Sequence, residues 1–228
     1  MYYVTGDIHG YVEYVEDFYH KFNPTYEDTL IILGDAGLNF FLDERDWYNK
    51  NVLTFLPFTI FCIHGNHEER PENIKSYKTK LWNEGIVYYE EEYPNILFAR
   101  DGEVYNLSGN KTLVLGGAYS IDKEYRIKNG YPYFKSELMS EKVKTKILNK
   151  IKKDNTYDII LSHTCPYKYR PVEMFLSGID QNKVDTSMEE FLDKIEENIN
   201  YKKWYCGHFH VNKKIDKITF LYHDVRKL

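Results

Sequence analysis

The amino-acid sequence predicts an α/β protein, in which β-strands form the interior and helices lie outside. Runs such as Leu30 to Leu33 and Ile159 to Leu161 are apolar at successive positions, which is typical of strands buried on both faces. Residues 96–117 contain several further short runs of this kind. Between the runs, segments such as Val12 to Phe22 carry apolar residues at helical spacing, which predicts amphipathic helices on the outside.

Three further helices are predicted from capping signals and apolar spacing. Asp43 is placed to cap a helix that Pro57 ends. Residues 136–153 have the pattern of a long, basic amphipathic helix. Ser187 and Glu190 have the spacing of a capping box, which predicts that a helix begins there.

The overall composition narrows the class of protein. The chain has 228 residues, and no linker or low-complexity tract divides it, so residues 1–228 are predicted to form a single domain. A net charge of −5 does not favour a strongly basic nucleic-acid surface, and no apolar run has the length of a membrane span. Because Cys62, Cys165 and Cys206 form no CxxC pair, we expect buried, reduced thiols and a cytoplasmic location.

A local pattern recurs five times along the chain. A short apolar run ends in a small residue and is followed by Asp, Asn or His, as in YYVTGDIHG, TLIILGDAG, FTIFCIHGNHE, YDIILSHTCP and KWYCGHFHV. Ligands of open α/β folds collect at the carboxyl ends of strands, so we expect these polar residues to meet in space. They are Asp7, His9, Asp35, Asn66, His67, His163, His208 and His210.

This set has the chemistry of a metal centre. It comprises two carboxylates, one amide and five imidazoles, a mixture of oxygen and nitrogen donors that suits Zn, Mn, Fe or Ni better than Ca. Even seven ligands drawn from these eight residues are too many for one tetrahedral ion, but they suit two ions that share a carboxylate. Two cations about 3.5–4 Å apart can activate water and stabilise an in-line displacement at phosphorus.

The ordered motifs GDIHG, GDAG, GNHE, a strand-terminal His and GHFH resemble those of the calcineurin-like metallophosphoesterases, from Asp7 to His210. The stretch LGGAYSIDKEYRIKNGYPYFKSE is similar to small metallophosphatases of bacteria and their phages. The resemblance implies an αββα architecture, with two layered mixed β-sheets flanked by helices. It also implies a hydrolase of phosphoric esters that uses two divalent metal ions, with manganese favoured and iron, zinc or nickel open.

The resemblance also implies a role for each residue. Asp35 would bridge both metals, together with a hydroxide that attacks phosphorus, and a carboxylate can bridge because it has two oxygens. His67 would act on the leaving oxygen rather than bind metal. The remaining ligands divide into one set for each ion, Asp7, His9 and His210 for the first and Asn66, His163 and His208 for the second.

The sequence departs from the protein-phosphatase branch of this family, in which the bridging-Asp motif runs GDxxDRG. Here it reads GDAGLNF, so Leu38 falls where the Asp that orients the catalytic His is expected, and the Arg is missing. Glu68, Glu69 or a backbone carbonyl are alternative orienting groups. Arg70 and Arg126 are the candidates for binding the substrate phosphate.

The functional hypotheses differ in the substrate that they assign to the enzyme. A phosphomonoesterase, including one of the serine/threonine protein phosphatase type, is favoured over a phosphodiesterase or nuclease and over a nucleotide polyphosphate hydrolase. The expected substrate is a phosphorylated small molecule, a nucleotide or a phosphoprotein. A non-enzymatic scaffold is disfavoured because every ligand position is filled, and an amidohydrolase because the first strand ends in Asp-Ile-His rather than HxH. Residues 119–135 and 166–183 are expected to decide specificity.

Overall fold

The computed structural model describes residues 1–228, which form five α-helices and thirteen β-strands. The helices are α1 (Glu13–Phe22), α2 (Glu44–Thr54), α3 (Lys123–Lys128), α4 (Glu141–Ile151) and α5 (Ser187–Asn198). The strands are β1 (Tyr2–Thr5), β2 (Thr29–Ile32), β3 (Thr59–Cys62), β4 (Lys78–Trp82), β5 (Gly85–Tyr89), β6 (Ile96–Ala99), β7 (Val104–Leu107), β8 (Asn110–Leu115), β9 (Ile159–Ser162), β10 (Lys203–Cys206), β11 (Lys213–Ile215), β12 (Ile218–Phe220) and β13 (Arg226–Lys227).

The strands build two mixed sheets. The first has the order β13-β1-β2-β3-β6-β5-β4, and its four central strands β1, β2, β3 and β6 are parallel. The second has the order β11-β12-β10-β9-β8-β7, with β12, β10, β9 and β8 parallel. In both sheets antiparallel strands occupy the edges. The predicted α/β fold with two mixed sheets flanked by helices is therefore confirmed, while the one-domain division stays a prediction.

Side chains alternate along the central strands between two apolar layers. In β2, Leu30 and Ile32 pack towards α1 and α2, whereas Ile31 joins residues of the second sheet. In β9, Ile160 packs towards α4 and α5, and Leu161 faces the first sheet. Burial on both faces explains why these strands are apolar at successive positions. The core thus has three layers, one between the sheets and one under the helices on each side.

Two helix boundaries differ from the sequence prediction. The helix predicted over 136–153 begins only at Glu141, after Ser140 in an extended conformation, and the Ser136 carbonyl accepts a hydrogen bond from Arg70 Nε at 2.6 Å instead of a helical N–H. The capping box predicted for Ser187 is also wrong, since Ser187 is the first helical residue and its N–H is accepted by Asp185. The Asp43 cap is confirmed, because its carboxylate accepts the Arg45 N–H.

The sequence reading also missed the β4–β5 hairpin. Its two-residue turn places Asn83 and Glu84 in the left-handed region, at φ 47° and 70°. Asn is common in such turns and Glu is not, so the local signal is weak. The hairpin extends the first sheet on the side opposite to β1 and lies away from the polar strand ends.

The three cysteines are buried and unpaired, as predicted. Among the helices, none combines the length and the apolar character that crossing a membrane requires.

Tyr105 tests how much the layer between the sheets depends on a buried hydroxyl. The residue is fully buried, and its hydroxyl donates to the Ile86 carbonyl at 2.7 Å and accepts the Arg100 N–H at 3.0 Å. Tyr105→Phe leaves both backbone groups without this partner, so we expect the free energy of unfolding to fall by about 2 kcal/mol in urea titrations. Tyr26→Phe is the control, because Tyr26 is 86% exposed, and it should change stability by less than about 0.5 kcal/mol. Equal effects of the two substitutions would contradict the role of the buried hydroxyl.

Candidate metal centre

The polar residues of the five recurring motifs lie together at the carboxyl ends of parallel strands from both sheets. Asp7, Asp35 and Asn66 follow β1, β2 and β3, which are neighbours in the first sheet. His163 follows β9, and the His208 loop follows β10, its neighbour in the second sheet. The convergence expected from the sequence is therefore present in the fold.

The backbone is strained at several of these positions. His9, Asp35, His208 and His210 all lie in the left-handed region, with φ of 48°, 48°, 66° and 49°. Few residues other than glycine adopt this region, and such strain clusters at functional sites. The strain aims side chains from different loops at one point.

Gly65 permits the closest approach within the site. A Cβ atom at this position would lie 2.0 Å from Asp35 Oδ1, well inside van der Waals contact. The absence of a side chain lets the loop after β3 close over the carboxylate, whose Oδ1 accepts the His67 backbone N–H at 2.8 Å.

One group of donors comprises Asp7, His9 and His210. His210 Nε2 lies 3.3 Å from Asp7 Oδ2 and 3.0 Å from His9 Nε2, and His9 Nε2 lies 3.9 Å from Asp7 Oδ2. The other Asp7 oxygen is held by the His208 backbone N–H at 2.9 Å. Their ligand atoms lie within 4.8 Å of one another, so one ion can contact all three.

A second group surrounds His163. Its Nδ1 lies 2.7 Å from the Leu33 carbonyl, to which it donates, so Nε2 carries the free lone pair. Nε2 faces Asn66 Oδ1 at 2.8 Å and Asp35 Oδ1 at 3.6 Å. The Asn66 amide is oriented by its own N–H, which donates to Ser120 Oγ at 2.9 Å. The His208 ring lies beside them, with its centroid 5.0 Å from that of His163.

A bound cation explains the short distances between these atoms better than direct hydrogen bonds between them do. His163 Nε2 and Asn66 Oδ1 are two acceptors at hydrogen-bond distance with no proton between them in this tautomer. Asp7 Oδ2 is buried without any hydrogen-bond partner, which is costly in a protein interior. A cation between such atoms would satisfy all of them, so the residues present fit the metals that the sequence predicted.

The electrostatics of the site keep two of the candidate ligands, Asp35 and His208, in their metal-binding forms. Burial alone would raise the pKa of Asp35, but His163, His67 and His9 outweigh it and hold that pKa well below its usual range. Burial, with a contribution from His163, lowers the pKa of His208 to about 3, so the ring is neutral. Metal ligands must be deprotonated, and both groups meet this condition at neutral pH.

His67 lies at the edge of the metal centre and lines the adjoining cavity. Its ring is nearly parallel to that of Phe40, with centroids 5.9 Å apart, and its Nε2 lies 3.7 Å from Asp122 Oδ1. Burial lowers the pKa of His67, and Arg126 lowers it further against the opposing effect of Asp35. One of its nitrogens also lies within 4.8 Å of ligand atoms of His9 and Asp35.

The two glutamates considered as orienting groups bond elsewhere. Glu68 is fully buried and accepts the Gly65 N–H at 2.8 Å, and burial raises its pKa to about 8. Glu69 accepts hydrogen bonds from the Ser136 hydroxyl and the Asn73 amide. Leu38, which stands where the orienting Asp was expected, is fully buried in the apolar layer under α1 and α2.

Asp122 is the carboxylate next to His67 that sequence reasoning missed. It is held by Arg126, whose Nε donates to Asp122 Oδ1 at 3.1 Å. Arg126 also donates to Ser120 Oγ, the group that orients Asn66. One guanidinium therefore connects to a metal-ligand candidate through Ser120 and to His67 through Asp122.

Neither arginine proposed for phosphate binding lines the cavity. Arg70 is buried, pairs with Asp101 at 2.5 Å and donates to the Ser136 carbonyl. Arg126 is 3% exposed, and its partners are all within the protein. Their substrate-binding role stays a prediction that no contact supports. Among the residues that line the cavity, Arg170 is the single Arg or Lys.

The match to a protein family agrees with the α/β fold. The model of the calcineurin-like phosphoesterase family matches residues 2–212, and the chain belongs to this family. No curated protein matches the sequence. The chain is similar to a solved structure of a protein of unknown function from Aquifex aeolicus, at 16% identity and a TM-score of 0.36, over 75% of this chain and 81% of that one.

Metal binding is expected to stabilise the fold measurably. Addition of Mn²⁺ at about one hundred times its Kd to metal-depleted protein should contribute about 2.7 kcal/mol and raise Tm by roughly 5–10 °C. Asp35→Asn should lose most of this shift, because the amide has no negative charge and offers one oxygen where the carboxylate offers two. Asp17→Asn, at an exposed position on α1, should keep it. An equal shift in both variants, measured by calorimetry, would contradict a metal site at Asp35.

Proposed function

We propose that the protein is a dinuclear metal-dependent phosphoesterase that acts on phosphate monoesters. The observation that carries this proposal is the two-sided position of the Asp35 carboxylate. Its Oδ2 faces His9 Nδ1 at 4.0 Å, and its Oδ1 faces His163 Nε2 at 3.6 Å. A carboxylate between two donor groups is the arrangement that two neighbouring cations require. We assign Asp7, His9 and His210 to one cation and Asn66, His163 and His208 to the other.

When bound, the two cations supply an activated water and neutralise charge on the phosphoryl group; manganese is our first choice, with iron, zinc and nickel as alternatives. The chain supplies the geometry. Backbone N–H groups of His67 and His208 each hold one oxygen of a ligand carboxylate, on Asp35 and Asp7 respectively. Oδ2 of each carboxylate faces an imidazole, that of His9 for Asp35 and that of His210 for Asp7, and Asp35 Oδ1 also faces His163.

We assign to His67 the protonation of the alcohol oxygen that leaves phosphorus. Its imidazole lines the cavity beside Asp35, where it can donate a proton to the oxygen that leaves phosphorus. Asp122 orients this imidazole, a role supported by the 3.7 Å separation and by the clamp of Arg126 on the carboxylate. Asp122 would thus take the place of the Asp that Leu38 replaces.

A phosphodiesterase is the second candidate. The observation that favours it is the cationic content of the cavity lining, in which Arg170 is the one Arg or Lys residue. A dianionic monoester needs more positive charge than a diester, so with Arg70 and Arg126 engaged elsewhere the metals would have to supply it. A phosphoprotein, a nuclease substrate or a nucleotide polyphosphate stays an alternative substrate for the same centre.

The proposal is tested by metal content and hydrolysis together. Purified without chelator, the protein should hold close to two transition ions per chain and hydrolyse p-nitrophenyl phosphate faster than bis-p-nitrophenyl phosphate. Asp35→Ala should lower kcat by at least about a thousandfold, since both cations lose a ligand. Metal-replete protein that hydrolyses neither ester would overturn the proposal, and a preference for the diester would select the second candidate.

The role of Asp122 is tested with leaving groups of different basicity. Asp122→Asn should lower kcat for phenyl phosphate by about 10–100-fold, because phenolate leaves poorly without a proton. The same variant should lose less than about threefold with p-nitrophenyl phosphate, whose alcohol leaves readily as an anion. Glu124→Gln, at the exposed start of α3, serves as the control and should change neither rate. Equal losses with both substrates would show that Asp122 does not act through His67.

A further inference from the structure

The His163 and His210 rings are oriented by different kinds of contact. His163 Nδ1 donates to the Leu33 carbonyl, the kind of hydrogen bond that commonly orients a metal-binding imidazole. His210 Nε2 faces Asp7 at 3.3 Å and His9 at 3.0 Å, but its Nδ1 has no hydrogen-bond partner in the protein. The side chain is also 46% exposed, so packing does not enclose it. The orientation of the His210 ring therefore depends on a contact of another kind.

A column of aromatic rings leads to His210. The Tyr222 ring is nearly parallel to the His210 ring, at an interplanar angle of 15° with centroids 4.5 Å apart. Tyr222 also stacks with His223, with centroids 3.6 Å apart, and the His223 ring lies 3.9 Å from that of Tyr14 on α1. None of these four rings belongs to the apolar layers of the core, so core packing does not explain the column. Rotation of the His210 ring would break its contact with Tyr222, so the column restricts that rotation.

The backbone of Tyr222 connects the two loops that carry Asp7 and His210. Its carbonyl accepts the N–H of Gly6, the residue before Asp7, at 2.9 Å. Its N–H donates at 2.9 Å to Asn212 Oδ1, two residues after His210. A Cβ atom at Gly6 would lie 2.7 Å from Tyr222 Cα, so only glycine allows this approach. Tyr222 is thus held both by the first sheet, which carries Asp7, and by the second, which carries His210.

We infer that Tyr222 is a positioning residue for the cation assigned to Asp7, His9 and His210. Its ring orients the His210 imidazole, and its backbone fixes His210 relative to Asp7. This inference rests on the proposed function, which assigns these ligands to one cation. Tyr222 lies beyond residues 2–212, so the match to the family assigns it no role. Groups that orient a metal ligand typically contribute about 10–100-fold to metal affinity, and here the contribution is confined to one of the two cations.

Metal binding measured without chemistry is the first test. Equilibrium dialysis of metal-depleted protein against Mn²⁺ gives the affinity of each ion. Tyr222→Leu keeps an apolar side chain and the backbone hydrogen bonds but removes the flat ring, so one ion per chain should bind about tenfold more weakly and the other should change less than about threefold. Tyr222→Phe keeps the ring and should bind both ions as the wild type does. Tyr26→Leu, at a position 86% exposed, is the matched control and should also bind both ions normally.

A double-mutant cycle tests whether the effect passes through His210. The His210→Ala variant has no imidazole to orient at this position. Adding Tyr222→Leu to it should therefore change the remaining Mn²⁺ affinities by less than about twofold. Urea titrations of the metal-free variants measure any general loss of stability separately.

The outcomes separate the inference from the proposed function. Equal weakening of both ions by Tyr222→Leu, or the same loss in Tyr222→Phe, would overturn the positioning role. An additive loss in the His210→Ala background would overturn it as well. Each of these results leaves the phosphoesterase intact if the wild type hydrolyses p-nitrophenyl phosphate. A selective loss of one ion in a protein that hydrolyses no ester would overturn the proposed function and retain the role of Tyr222 at the metal centre.

Discussion

The Asp35 carboxylate is the interaction on which the site depends. It is buried, and a buried carboxylate is costly unless charges and hydrogen-bond donors compensate it. Here the compensation comes from both sheets, through His9 at Oδ2 and through the His67 N–H and His163 at Oδ1. This requires β2 to lie between β1 and β3 and the second sheet to present β9 at the same edge. The position of one side chain thus ties the two sheets to a single relative arrangement.

The strained backbone around this carboxylate is tolerated because the surrounding layers are rigid. Left-handed conformations at His9, Asp35, His208 and His210 cost free energy that the loops alone do not return. The strands that precede them are buried on both faces, so their last residues have little freedom to relax. Apolar packing in the three layers therefore helps to offset the strain, and backbone hydrogen bonds between the loops, such as that from the His9 N–H to the Asp35 carbonyl at 2.7 Å, add to it.

Much of the fold and of the site is visible in the sequence, for identifiable reasons. The strands before Asp35 and His163 are apolar at each position because both faces are covered, and the motif order marks where those strands end. What the sequence hid depends on tertiary contacts. Nothing local shows that Arg70 donates to the Ser136 carbonyl, or that Arg126 turns inward to Asp122. Long polar side chains form hydrogen bonds with residues that are distant in sequence, so their spacing along the chain does not predict their partners.

The positions of Leu38 and Asp122 show how such a tertiary contact bears on the proposed function. A carboxylate at position 38 would lie in the loop after β2, within the motif that carries Asp35. Leu38 instead packs under the helices, and Asp122 approaches His67 from the segment after β8, which also lines the cavity. Under the proposed function, the group that would orient His67 then lies in the same segment that lines the cavity. Arg126 donates to Asp122 and to Ser120, which accepts the Asn66 amide, so this segment connects the proposed proton donor to one candidate metal site.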